Sequence, residues 1–91
     1  MDRIQRIQQA LAVLSPAALR IQDDSHKHAG HAGARDGRGH FSVYIVSDAF
    51  AGLSALKRHQ LVYKALAGLL ESDIHAVAIQ ARLPAETDGT G

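Results

Sequence analysis

The sequence predicts an α+β domain of two layers, a three-stranded mixed sheet with helices on one face. Three observations lead there. Apolar residues recur at helical spacing at Ile4, Ile7, Leu11 and Leu14, and again at Val62, Leu66, Leu69 and Leu70. Three other stretches alternate side by side as strands do: Ala18 to Asp23, His40 to Ser47 and Ile74 to Ala81. The chain has 91 residues, 46% of them hydrophobic. That supplies one core, since a domain of this size buries roughly 60–65% of its unfolded surface.

Residues 2 to 14 form the first predicted helix, with Arg3, Arg6, Gln5, Gln8 and Gln9 around its apolar stripe. Asp2 is placed to cap it, and Ser15-Pro16 ends it, because proline pushes the residue before it out of the helical region. From Ala18 to Asp23, Leu19 and Ile21 fall on one side and Arg20 and Gln22 on the other, the mark of a half-buried strand. A glycine- and histidine-rich loop follows, to about Arg38. It is far longer than the two to five residues usual in a hairpin, and long loops on small domains are often functional.

His40 to Ser47 is the clearest strand: Phe41, Val43 and Ile45 line one face and Ser42, Tyr44 and Val46 the other. Phe50-Ala51-Gly52 turns into Ser54, the predicted cap of a single helix over Ala55 to Leu70. Gly68 inside it costs about 1 kcal/mol against alanine and marks either close packing or an early end. After Ser72-Asp73, the last strand sets His75, Val77 and Ile79 on one face and Ile74, Ala76 and Ala78 on the other. The small alanines point to a helix pressed on that second face. From Pro84 the chain reads as a polar tail, so the domain is expected over residues 1–84 with a flexible tail over 85–91. The first two strands should pair antiparallel, and the last should join in parallel through a helical crossover.

Composition narrows the chemistry. Lys+Arg 10 against Asp+Glu 9 leaves a net charge of +1, which neither announces nor forbids a nucleic-acid partner. There are no cysteines, which excludes disulfides, thiol nucleophiles and any cluster held by the chain's own thiolates. The N-terminus lacks the apolar core of a leader peptide, and no run nears the ~20 apolar residues that span a bilayer. A soluble, cytoplasmic protein with no membrane partner is expected. Asp23 and Asp24 are adjacent and point to opposite faces, so they make a poor acid–base pair. With no organised nucleophile, the chain does not read as an enzyme.

Histidine is the residue that stands out. Four of the six fall between His26 and His40. His26, His28 and His31 suit a metal by ligand type, but in a glycine-rich loop their spacing specifies no geometry, and incidental metal binding is the plainer reading. His75 beside valine and isoleucine is, taken alone, more often structural than a ligand. A site joining one loop histidine to His75 is the sharper alternative. Lys57, Arg58, His59 and Lys64 on the long helix suit phosphates, in a salt-dependent and non-specific way. A solvated helix face is the ordinary alternative.

The motifs in series carry more. Asp23-Asp24-Ser25-His26-Lys27-His28-Ala29, Gly39-His40-Phe41, Val46-Ser47, Phe50-x-Gly52-x-Ser54, Arg58-His59-x-x-Val62-Tyr63 and Ile74-His75-Ala76-Val77-x-Ile79 resemble, in order and over about residues 3 to 84, the BolA family. The resemblance implies a fold like a class II KH domain, α-β-β-α-α-β, with a short helical turn before the long helix and hence a break near Arg58. It implies an adaptor that binds a monothiol glutaredoxin and shares a bridging 2Fe-2S cluster with it and with glutathione, in iron–sulfur assembly, trafficking or iron homeostasis. The partner would bring the thiolates. His75 matches one family ligand and His28 the other, with His26 and His31 as alternates. Two imidazoles on one iron have precedent in Rieske centres.

The resemblance also implies a free protein without a cofactor, monomeric or weakly dimeric, and a second possibility: a DNA-binding regulator of morphology and stress response acting through the KH-like fold. Two departures bear on that possibility. Gln60 stands where the family often has a basic residue, and the Gly-x-x-Gly loop of KH domains is missing from Phe50–Ser54.

Overall fold

The computed structural model describes residues 1–25 and 39–87. Within them the order is α1 (Arg3–Leu11), β1 (Ala18–Asp23), β2 (Gly39–Val46), α2 (Ala55–Ala65), α3 (Ala67–Ser72) and β3 (Ile74–Arg82). The strand order is β1-β2-β3. β1 runs antiparallel to β2, with Ala18 opposite Val46 and Asp23 opposite Phe41, and β3 runs parallel to β2. This is the predicted mixed sheet in an α+β fold.

The core lies between the sheet and the helices. Ile7 and Leu11 from α1, Phe41, Val43 and Ile45 from β2, Val62 and Leu66 from the helical crossover, and Ile74 and Ile79 from β3 meet there around Phe50. Asp2 caps α1: its carboxylate accepts from the Gln5 backbone N–H, and the Gln5 side chain accepts in return from the Asp2 N–H. Ser54 caps α2 by accepting from the Lys57 N–H. Ser47, itself buried, donates from its hydroxyl to the Leu14 carbonyl and so ties the end of α1 to the end of β2. Among the described residues no element packs on the other sheet face. It carries Arg20, whose guanidinium lies 5.0 Å from the centre of the Tyr44 ring.

Two expectations about the helices change. The first helix is α-helical only to Leu11 and tightens to a 3-10 turn over Ala12–Leu14. Ser15, in left-handed backbone at φ 47°, closes that turn. The second helix breaks at Leu66, not near Arg58. There the backbone (φ −94°, ψ 2°) shares one N–H among the carbonyls of Val62, Tyr63 and Lys64, while the Leu66 side chain stays fully buried. A 3-10 turn, Asp48–Phe50, precedes the long helix, as the resemblance implies, and Gly68 has open space beside it, so of its two readings the early end of the regular helix holds.

The faces of β3 are also exchanged. Ile74, Val77, Ile79 and Ala81 face the helices, and Ala76 and Ala78 lie exposed on the open side. The cause is a shift of register between β2 and β3, described below. Lastly, the C-terminal segment is structured further than predicted. Pro84–Glu86 form a 3-10 turn, and Glu86 holds Arg58 through two hydrogen bonds of 2.6 and 3.0 Å.

Candidate functional site

The entry to β3 departs from regular pairing. Gly39 pairs with Ile74 and His40 with Ala76. β3 therefore has one more residue than β2 at this step, and that residue is His75. A bulge of this kind re-aims a side chain. The His75 and His40 rings lie together, centroids 5.0 Å apart and planes inclined at 50°. His75 is exposed and His40 half-buried. The two imidazoles come from strands separated by the whole helical crossover.

The backbone around them is fixed from three sides. The Gly39 N–H donates to the Asp73 carbonyl at 2.9 Å, which joins the two strand entries. The His40 N–H donates to the Ser25 hydroxyl at 3.0 Å, and the His40 carbonyl accepts from the Asp24 N–H at 2.7 Å. Asp24 in turn accepts from the Ser42 hydroxyl at 2.5 Å. Glycine is required at position 39 by space. A Cβ there would stand 2.7 Å from both the Phe41 ring and the Ser25 hydroxyl.

Asp73 braces the other side. Its buried carboxylate accepts from Arg6 at 2.9 Å, Arg3 at 3.4 Å and the Ser72 hydroxyl at 3.0 Å, linking α1 to the residue two before His75. Burial pushes its carboxyl pKa upward. The Ser72 hydrogen bond and the two guanidinium groups outweigh that and hold it below its ordinary value.

Of the predicted ligands, His75 stands at this corner. His28, His26 and His31 lie outside the described residues. The prediction overlooked His40 as a partner for His75, assigning it only to its strand. Its alternation with Ser42 and Tyr44 put it on the open face, but nothing in either strand alone announces the bulge. Among the described residues no group of three or more His, Cys, Asp or Glu could hold a metal ion. The corner brings two imidazole rings together. Imidazole is a donor type that iron and zinc accept.

The predicted basic set divides. Lys57, His59 and Lys64 are exposed on α2. Arg58 is turned inward, its side chain 15% exposed. It pairs with Glu86 and donates to the carbonyls of Leu53 at 3.1 Å and Ala81 at 3.2 Å. With the Tyr63 hydroxyl donating to Val77 O at 3.3 Å, it covers part of the outer edge of β3, an edge otherwise open to pairing with another chain.

Comparison with known proteins agrees with this architecture. The family model described as BolA-like protein matches residues 7–86. SufE-like protein 1 of Arabidopsis thaliana, chloroplastic/mitochondrial, is 49% identical over 78 residues, covering 80% of this chain and 21% of its own length. The DNA-binding transcriptional regulator BolA of Escherichia coli is 36% identical over 86 residues, covering 93% and 79%. This chain therefore spans about a fifth of the first relative's length. Among solved structures, the BolA domain of SufE1 from Arabidopsis thaliana superposes with a TM-score of 0.83 at 43% identity, covering 96% of this chain and 98% of that one.

Proposed function

The chain belongs to the BolA-like protein family, and from that premise we propose that it is a non-enzymatic adaptor. It pairs with a monothiol glutaredoxin, shares a bridging 2Fe-2S cluster with it, and acts in iron–sulfur assembly, trafficking or iron homeostasis. The observation that carries the reading is an exposed imidazole, His75, held at a braced strand entry in a chain with no cysteine. Such a chain offers iron imidazole but no thiolate of its own, so a partner must bring the thiolates. When bound, the cluster supplies a redox-active or transferable iron–sulfur unit. The protein's part is to present an imidazole nitrogen as donor. The resemblance gives the second ligand to His28, with His26 and His31 as alternates.

Reconstitution of the full chain with monothiol glutaredoxin, glutathione, iron and sulfide tests the reading. A visible absorption and circular dichroism spectrum distinct from that of the glutaredoxin alone is expected. His75→Ala should abolish or markedly alter it. A His75→Ala spectrum and cluster lifetime identical to wild type would sink the ligand assignment.

A second reading has its own observation. The Escherichia coli relative is named a DNA-binding regulator, and Lys57, His59 and Lys64 are exposed on one helix. If this chain binds duplex DNA through phosphates, affinity should fall steeply with salt and weaken on Lys57→Ala plus Lys64→Ala. Absence of binding at low salt excludes it.

A further inference from the structure

We propose that the sheet face turned away from the helices binds single-stranded nucleic acid, with a base stacked at Tyr44 and a phosphate held by Arg20. The proposal does not depend on the adaptor reading. It also uses the side of the sheet opposite to α2 and its exposed cations.

The make-up of this face is the first support. Register sets its side chains in rows across the three strands: Arg20, Tyr44 and Gln80 in one, Gln22, Ser42 and Ala78 in the next. Strand alternation sends all six away from the core. A shallow depression of about 770 Å³ lies over them. Ile21 and Val43 border it between the rows and turn their side chains to the helix side.

Charge is the second. Arg20 is the only charged residue lining the depression, and among the described residues no carboxylate pairs with it. Asp24 stands at the far end, in the row of His40, where it accepts from the Ser42 hydroxyl at 2.5 Å. The part of the face around Tyr44 is therefore positive, and an anionic partner complements it. A second copy of the chain does not, since two such faces bring like charges into one interface.

The third support is what the face lacks. Its outward apolar groups are the Tyr44 ring and small alanines. A protein partner needs an apolar centre to its interface, and these rows offer no large aliphatic side chain. A nucleotide needs none. Every base has a face that stacks on an aromatic ring, and arginine adds a cation–π contact and a phosphate ligand. The Arg20 guanidinium is already 5.0 Å from the centre of the Tyr44 ring, so both groups address one place. Gln22, Gln80 and Ser42 supply donors and acceptors for base edges. A duplex keeps its bases in the stack and presents phosphate, for which one guanidinium does little. An unpaired strand presents base and phosphate together.

Fluorescein-labelled oligo-dT and oligo-U are the probes, titrated with the full chain and followed by anisotropy at stepped salt. The proteins compared are wild type, Tyr44→Phe, Tyr44→Ala, Arg20→Gln, and Lys57→Ala with Lys64→Ala. Circular dichroism establishes that each is folded, and Arg20→Gln, an exposed change, is read if Tyr44→Ala is not. Wild type should bind the single strands saturably at low salt and more tightly than a duplex. Tyr44→Phe should keep that affinity. Tyr44→Ala should weaken it roughly five- to a hundredfold, the worth of one base–aromatic stack. Arg20→Gln should weaken it too and flatten the salt slope by about 0.7, one phosphate contact on a single strand. The amides of Ser42, Tyr44, Ala78 and Gln80 should shift on binding.

Absence of saturable binding to either strand at low salt overturns the proposal. So does wild-type affinity in both Tyr44→Ala and Arg20→Gln, or a loss confined to the Lys57 and Lys64 variant, which would place the contact on α2. Polyglutamate competing as well as oligo-dT would show charge alone at work and overturn the stacking claim.

Discussion

Gly39 and Asp73 show how single residues set the histidine corner from outside its two rings. Gly39 lies where a methyl group would meet the Phe41 ring and the Ser25 hydroxyl at 2.7 Å. Phe41 is a buried core residue, so it has little room to yield. Gly39→Ala is expected to destabilise the fold by roughly 1–3 kcal/mol, the range for overpacking, measured as a lowered urea midpoint at unchanged slope. It should also disturb the His40 backbone, visible as shifts of the Ser25, His40 and Ile74 amides. A midpoint and amide spectrum equal to wild type would contradict the steric argument. Asp73 was readable in the sequence only as part of a turn. Its role depends on Arg3 and Arg6, which are distant in sequence and reach it only because α1 packs beside the end of α3.

At the scale of elements, the joint between α2, β3 and the C-terminal turn depends on the Arg58–Glu86 pair. The Arg58 hydrogen bonds hold the Glu86 carboxyl down at about 2, from an ordinary 4.5. A carboxylate depressed in the folded state contributes stability above its unfolded pKa, and that contribution is lost as pH falls through the folded value. Stability should therefore decline on acidification from about 4.5 toward about 2. Asp73, also held low, adds to the decline. Glu86→Gln should flatten the curve in that window, measured by thermal melts at stepped pH. An unchanged pH profile in the variant would show the pair to be without effect on folding. Sequence periodicity found these helices and strands because burial repeats with the helical or strand period. It missed the break at Leu66, which conserves the buried stripe and changes only the backbone between its members.

For the molecule as a whole, the single core makes the α1, β2, β3 and crossover layers interdependent. Leu66 is fully buried where α2 meets α3. Leu66→Ala should cost about 2–5 kcal/mol, a large share of the roughly 5–15 kcal/mol typical of a folded domain. Hydrogen exchange should report the loss in the strands as well as in the helices. Loss confined to α3 would mean that the two layers unfold separately. Among the described residues no helix is long and apolar enough to cross a membrane, and the face of the sheet opposite the helices stays uncovered.

The sequence by itself determined the α+β class, the three strands and their pairing sense, the helix caps at Asp2 and Ser54, and a chain without thiols. Each follows from local pattern or from composition, which need no knowledge of distant neighbours. Only the tertiary structure decided which face of β3 is buried, that Arg58 turns inward to Glu86, and that His40 stands beside His75. These depend on the alignment of segments far apart in the chain. One residue more in β3 than in β2, between Gly39–His40 and Ile74–Ala76, exchanges the faces that alternation predicts and brings two imidazoles together.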